Sequence, residues 1–240
     1  MICYTGDIHG MPWNIISFCE KVKTTKDDTI VILGDVGANY YGDSRDTECK
    51  RQLSKVNPTV LCIHGNHEMR PSSIPTYKTK EWNGGTVWFE ETYPNLLFAK
   101  DGEIFDIEGI RHLVIGGAYS VDKHYRLTRG YGWWADEQPS DEIKAYVEQQ
   151  ITNKDFDVIL SHTCPLKYEP VEMFLTMIDQ STVDKSTEVW LDSIEERVKY
   201  KAWFCGHWHT NKRIDKMHFL YGDFELSSIL KEQEFIDEKD

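Results

Sequence analysis

LCIHGNHEMR, residues 61–70, joins an apolar run to a turn made of an imidazole, a glycine, an amide, a second imidazole and a carboxylate. Leu61, Cys62 and Ile63 suit a buried strand, and His64, Gly65, Asn66, His67 and Glu68 come next with no spacer. Either this is an ordinary polar turn, or it holds something that needs nitrogen and oxygen lone pairs. The other strand ends decide, because ligands of an open α/β sheet gather outside the carboxyl ends of its strands.

Short apolar runs recur along the chain: ICYT (2–5), TIVIL (29–33), TVLCI (59–63), HLVIGG (112–117), VILS (158–161) and AWFC (202–205). Their length and β-branched content predict buried strands. Helical spacing appears between them, in Ile15, Phe18, Cys19 and Val22 after Pro12, and more weakly in Cys49, Leu53 and Val56. It returns in Ile143, Val147 and Ile151, starting near Ser140, and in Trp190, Ile194 and Val198, starting near Ser186. Alternating strands and helices predict an α/β fold. Residues 86–116 instead predict short strands with turns at Asp101-Gly102 and Glu108-Gly109, an antiparallel stretch inside a mixed sheet. The stretch DKMHFLYGDFEL is similar.

Neither repeats nor low-complexity linkers interrupt this pattern, so residues 1–225 are expected to form a single domain with a charged tail at 226–240. Two long irregular segments, 118–139 and 164–185, read as cap-like insertions, since loops beyond about 12–15 residues in a compact domain are usually functional or disordered. Tyr119, Tyr125, Tyr131, Trp133 and Trp134 argue against disorder in the first. Its rings either pack on the core or wall a cleft and stack on a nucleobase or aryl group.

Composition narrows the function. The 240 residues carry a formal charge of -13, with a pI near 5.1, which argues against nucleic acid as a partner gripped by a basic surface. The six cysteines contain no CxxC pair, so buried free thiols in a reducing cytoplasm are expected. No run approaches the roughly 18 apolar residues of a membrane span, and MICYTGDIHG lacks the features of a signal peptide. Oligomeric state is left open.

The residues just past the strands are the informative feature. Gly6-Asp7-Ile8-His9 succeeds the first, Gly34-Asp35 the second, Gly65-Asn66-His67 the third, His162 the fifth and Gly206-His207-Trp208-His209 the sixth. The pairs Asp7/His9 and His207/His209, spaced i, i+2, place both side chains on one face of an extended backbone. Asp7, His9, Asp35, Asn66, His162, His207 and His209 are too many ligands for one tetrahedral ion and suit two, with Asp35 the natural bridge. Carboxylate, imidazole and amide donors without thiolate favour Mn, Fe, Zn, Ni or Co. The charge of two such ions exceeds that of two aspartates and a hydroxide, so the centre attracts an anion. Metals about 3.5–4 Å apart also suit in-line displacement at phosphorus.

In order along the chain, GDIHG (6–10), GD (34–35), GNHE (65–68), SH (161–162) and GHWH (206–209) closely resemble the signature of the calcineurin-like metallophosphoesterases. The resemblance implies a four-layer α/β/β/α sandwich of two mixed sheets flanked by helices. It also implies a dimetal hydrolase of phosphate monoesters or diesters that uses metal-bound hydroxide, with manganese the favoured ion. By the same resemblance Asp7, His9 and His209 hold one ion, Asn66, His162 and His207 the other, Asp35 bridges, and His67 assists the leaving group. The substrate would be a small-molecule or nucleotide phosphate ester. An acidic nuclease, a nucleotide phosphodiesterase and a non-catalytic scaffold are the alternatives, although scaffolds lose ligands.

The protein-phosphatase branch reads GDxVDRG at its second motif, whereas here Gly34-Asp35-Val36-Gly37-Ala38-Asn39 has no DRG. The acid that would orient the catalytic His and the arginine that would grip phosphate are both missing from that place. Arg70, just after GNHEM, is the first candidate to replace the arginine, because guanidinium binds phosphate bidentately. Arg45 and Arg129 come next, and Arg126 is a further possibility or a salt-bridged residue. Glu68 is read as a local brace, His64 as a polar strand end, and His112, His124 and His218 as structural.

Overall fold

In the computed structural model, which describes residues 1–230, the side chains of the first strand divide between two cores. Ile2 and Tyr4 enter one and Cys3 the other, as the period-two alternation of a strand dictates. The elements run β1 (Ile2–Thr5), α1 (Trp13–Val22), β2 (Thr29–Ile32), α2 (Ser44–Leu53), β3 (Thr59–Cys62), β4 (Lys78–Trp82), β5 (Gly85–Phe89), β6 (Leu96–Ala99), β7 (Ile104–Ile107) and β8 (Ile110–Ile115). They continue with α3 (Lys123–Arg129), α4 (Asp141–Ile151), β9 (Val158–Ser161), α5 (Ser186–Glu195), β10 (Ala202–Cys205), β11 (Lys212–Ile214), β12 (Met217–Phe219) and β13 (Phe224–Leu226).

Two mixed sheets result, a seven-stranded one in the order β13-β1-β2-β3-β6-β5-β4 and a six-stranded one in the order β11-β12-β10-β9-β8-β7. In each, four neighbouring strands are parallel, β1-β2-β3-β6 in the first and β8-β9-β10-β12 in the second. Parallel strands covered on both faces read as continuous apolar runs, which is why ICYT, TIVI, VILS and AWFC are buried at every position.

The sheets face each other across a core that includes Ile2, Val31 and Leu61 from one and Val114, Leu160 and Phe204 from the other. Tyr4 stacks on Phe204 across it with ring centroids 4.1 Å apart, and its hydroxyl reaches His112 Nε2 at 2.7 Å. Such side chains each stabilise by about 1.5–3 kcal/mol on burial. Ile15 and Cys19 of α1 and Cys49 and Leu53 of α2 cover the outer face of the first sheet. Val147 and Ile151 of α4 and Leu191 and Ile194 of α5 cover that of the second. The layers are therefore α/β/β/α, as expected.

Some local expectations need correction. The antiparallel stretch of residues 86–116 does not stay in one sheet: β5 and β6 belong to the first, and β7 and β8 to the second. Asp101-Gly102 is thus a crossing between layers, whereas Glu108-Gly109 closes a true hairpin with both residues at positive φ. The last strands divide in the same way, β12 in the second sheet and β13 antiparallel to β1 in the first. The polar strand β4 gave no apolar signal, and Val56 and Val198 lie past the ends of α2 and α5. Of the expected tail, Leu226 ends β13 and Leu230 packs into the inter-sheet core; residues 231–240 lie outside the described residues. Among the described residues no helix is long and apolar enough to cross a membrane.

Candidate metal centre

Five loops leave the carboxyl ends of β1, β2, β3, β9 and β10 at one edge of the sandwich, and backbone bonds tie several of them together. His9 N donates to Asp35 O at 2.8 Å, Gly10 N to Val36 O at 2.8 Å and Gly206 N to His162 O at 3.0 Å. Strands of the first sheet lead to Asp7, His9, Asp35 and Asn66, and strands of the second lead to His162, His207 and His209. Four of these residues lie in the left-handed region, His9 at φ 45, Asp35 at 48, His207 at 63 and His209 at 48. Non-glycine residues there cost of the order of 1–3 kcal/mol each and are kept where the surroundings enforce them. Gly65 is fixed by close approach, since a Cβ on it would lie 2.2 Å from Asp35 N and 2.1 Å from Asp35 Oδ1.

The side chains converge in three overlapping groups: Asp7, His9 and His209; Asp7, Asp35 and His162; and His9, Asp35 and His67, with the ligand atoms of each group within 4.8 Å of one another. Asn66 completes the set, its Oδ1 lying 2.9 Å from His162 Nε2 and 3.1 Å from His207 Nδ1. The tautomer of His162 is fixed by its other nitrogen. Nδ1 faces the carbonyl oxygen of Leu33 at 2.7 Å and must carry the proton, so Nε2 presents a lone pair to the Asn66 oxygen. On the other side His9 Nε2 faces His209 Nε2 at 3.0 Å. Asp7 Oδ2 is buried beside them, 3.2 Å from His209 Nε2. Imidazole, carboxylate and amide donor atoms gathered this closely, with no thiolate among them, fit two divalent ions.

Electrostatics agree. Burial works against the charge of Asp35, but the imidazoles of His162, His67 and His9 and the backbone N–H of His67 hold its carboxyl well below the usual range. Burial pushes His207 down to about 3, leaving it neutral as a ligand must be. His209 is raised, chiefly by its hydrogen bond to Asp7. Glu68 is pushed up to about 8 by burial, and its Oε1 accepts from Gly65 N at 3.0 Å, so it braces the turn. His64 is buried with neither ring nitrogen bonded. His67 donates its backbone N–H to Asp35 Oδ1 at 2.8 Å, and its ring lies 5.5 Å from that of His9.

None of the three candidate arginines is turned to this cluster. Arg70 Nη1 binds Asp101 Oδ2 at 2.5 Å, and its Nε donates to Asp136 O at 2.8 Å. Arg45 is exposed, pairs with Asp43 and lies over the Tyr41 ring, and Arg129 is exposed over Tyr125. The guanidinium nearest the centre is that of Arg126, 1% exposed, in the short helix α3 that the sequence did not reveal. With it come Ser120, Asp122 and Glu137, which the sequence did not single out, whereas Arg126 was among its further possibilities. A single indirect signal pointed to them, the unexplained length of the 118–139 segment.

Beside the cluster opens a cavity of about 400 Å³, with Asp35, Asn66, His67 and His207 at one end. Met173, Phe174, Leu175, Ile178 and Val183 of the 164–185 segment, with Trp208, Tyr119 and Val121, form its apolar wall. Trp134 of the other segment packs on Tyr40, and Trp133 lies under Lys123. Lys185 and Glu169, which also line the cavity, are paired with each other at 2.7 Å.

Comparison with known proteins places these observations. Residues 1–211 match the family model described as calcineurin-like phosphoesterase. Among solved structures, TT1561 of Thermus thermophilus is similar in fold, with 12% identity and a TM-score of 0.52 over 92% of this chain and 87% of that one. Phosphopantetheinyl hydrolase (PptH) of Mycobacterium tuberculosis is 14% identical with a TM-score of 0.44, over 92% of this chain and 87% of that one. None of the curated proteins compared with this chain matches it.

Proposed function

We propose that this chain, which belongs to the calcineurin-like phosphoesterase family, hydrolyses small-molecule phosphate esters with two divalent ions. One observation carries the reading: the donor atoms of Asp7, His9 and His209 lie within 4.8 Å of one another, as do those of Asp7, Asp35 and His162, and Asn66 Oδ1 is 2.9 Å from His162 Nε2 and 3.1 Å from His207 Nδ1. These would be the two ion sites, with Asp35 between them. When bound, the ions, with manganese favoured, supply positive charge for the phosphoryl oxygens and acidify water.

The chain's own residues do the rest. Asp35 remains ionised, held so by the groups around it. The left-handed backbones at His9, Asp35, His207 and His209 keep their side chains in one place before substrate arrives. His67, beside Asp35 at the mouth of the cavity, is positioned to give a proton to the departing oxygen.

The cavity supports a narrower choice of substrate. An organic group of modest size fits about 400 Å³, and its neighbours there are Met173, Phe174, Leu175 and Ile178 rather than lysines or arginines free to meet a second phosphate. The ester's alcohol part is accordingly apolar or aromatic. The charge of -13 argues against a nucleic-acid strand. The six free cysteines support a reducing compartment, the cytoplasm.

The test is to strip the protein of metal, reload it with Mn²⁺, and compare an aryl phosphate monoester with the matching diester. Turnover that needs Mn²⁺ and disappears in Asp35→Asn is expected, and the preferred ester separates phosphatase from phosphodiesterase. Full turnover in Asp35→Asn, or none in wild-type protein with two ions bound, would overturn the reading.

A further inference from the structure

Among the buried polar atoms of the 118–139 segment that have no hydrogen-bond partner are Asp122 Oδ1 and Arg126 Nη2. They belong to one small network at the edge of the metal centre. Arg126 Nη1 lies 3.6 Å from Asp122 Oδ1, and that oxygen lies 3.9 Å from His67 Nε2. The same Nη1 donates to Ser120 Oγ at 2.8 Å, which also accepts from Asn66 Nδ2 at 2.9 Å. Ser120 gives its own hydroxyl proton to Glu137 Oε2 at 2.5 Å.

Each link constrains the next. A hydroxyl has one proton to donate and two lone pairs to accept with, so Ser120 is saturated. Its lone pairs face Arg126 and the Asn66 amide nitrogen. Asn66 must therefore present its oxygen, not its nitrogen, to His162 and His207. Arg126 is itself fixed: Nε donates to Gly132 O at 2.8 Å, its backbone N–H to Asp122 O at 2.9 Å, and its carbonyl accepts from Tyr131 N at 2.8 Å. A guanidinium is seldom fully buried unless paired, and here the carboxylate near it also stands within ion-pair distance of His67.

We infer that Arg126 is a positioning residue joining the two halves of the centre: through Asp122 it orients His67 toward the leaving oxygen, and through Ser120 it turns the Asn66 oxygen toward an ion site. The inference rests on the phosphoester-hydrolase reading for its first half and on the residues' own geometry for its second. It makes residues 118–139 a working part of the centre rather than an accessory cap. As a water oxygen bonds to phosphorus, the P–O bond to the leaving group breaks and its electron pair stays on the departing oxygen. That oxygen takes the proton from the His67 ring, while Asp122 only orients the ring and exchanges no proton. Contacts of this kind are often long before substrate binds.

Two readouts test it, and thermal unfolding of each variant checks folding. Calorimetric titration of metal-stripped protein with Mn²⁺ addresses the Asn66 branch: Ser120→Ala should weaken one binding event by about 10–100-fold, as loss of a ligand's supporting bond does. Asp122→Asn should leave both events within about threefold of wild type. Hydrolysis by the Mn²⁺-loaded protein addresses the His67 branch. Asp122→Asn should slow phenyl phosphate by about tenfold or more, yet change 2,4-dinitrophenyl phosphate, whose leaving group needs no proton, by less than about threefold. Arg126→Gln should show both defects; should it fail to fold, the other two variants carry the test. Unchanged Mn²⁺ binding in Ser120→Ala overturns the Asn66 branch. Equal loss on both esters in Asp122→Asn, or no loss on either, overturns the His67 branch. Wild-type protein that binds Mn²⁺ but cleaves neither ester removes the hydrolase reading and the His67 branch together, and calorimetry still decides the other.

Discussion

Asn66 Oδ1 stands 2.9 Å from His162 Nε2 and 3.1 Å from His207 Nδ1 in a buried place. Only the folded chain brings these three atoms together, so an ion that takes them as ligands should favour the folded state. At about one hundred times its dissociation constant an ion adds about 2.7 kcal/mol, which for a chain of this size is a rise of roughly 5–11 °C in Tm. Thermal unfolding in chelator against excess Mn²⁺ measures it, and an unchanged midpoint would mean that the site does not take the ion.

Gly65→Ala is expected to damage the centre without touching a ligand. The added methyl would lie 2.2 Å from the backbone nitrogen of Asp35, and backbone cannot swing aside as a side chain can. Overpacking of this kind costs about 1–3 kcal/mol or more. Denaturant unfolding should show that loss, together with weaker Mn²⁺ uptake; an alanine variant as stable and as avid as wild type would contradict the geometry.

Arg70 and Arg45 separate stability from phosphate binding. In Arg70→Ala the carboxylate of Asp101, its side chain 3% exposed, loses its partner, and stranding a buried charge costs about 3–5 kcal/mol. Substrate KM should be unchanged in the folded fraction. Arg45→Ala removes an exposed pair with Asp43 and should stay within about 0.5 kcal/mol of wild type. A raised KM with intact stability in the Arg70 variant would restore it as a phosphate ligand.

Glu188 predicts a pH dependence. Burial pushes its carboxyl up to about 7 from the ordinary 4.5, although Thr163 donates to it at 2.8 Å. Between those values the folded state holds a proton that the unfolded chain has released, so stability falls as pH rises through the window. Glu188→Gln keeps the neutral shape and should flatten that slope. Unfolding free energies of both proteins at pH 5 and pH 8, without metal, check the sign; parallel curves would deny it.

Much of the scaffold was legible because buried parallel strands must be apolar on both faces, and the residues that end them are then conspicuous. Asp7, His9, Asp35, Asn66, His162, His207 and His209 could be read for that reason alone. Asp122 and Ser120 could not, and Arg126 stood out no more than the other arginines. Helix α3 reads KHYRLTR, with no apolar stripe, and a buried arginine in the sequence looks like any other. Arg70 misled because it comes directly after GNHEM. Its partner Asp101 is 31 residues away, at the crossing between sheets, and nothing local announces that pairing. The crossing itself was hidden because Asp101-Gly102 looks like any hairpin turn.

The division of the ligands between the two sheets has a consequence for how the protein is made. His9 and His209, 200 residues apart, meet within 3.0 Å, so neither half of the chain can assemble the centre alone. A growing polypeptide that has emerged only as far as β9 has all four of the first sheet's ligands but lacks His207 and His209. Ions arriving then find an incomplete cradle. Metal loading would thus come late in biogenesis, after the second sheet has docked, and a bound pair of ions would join the two layers at this edge.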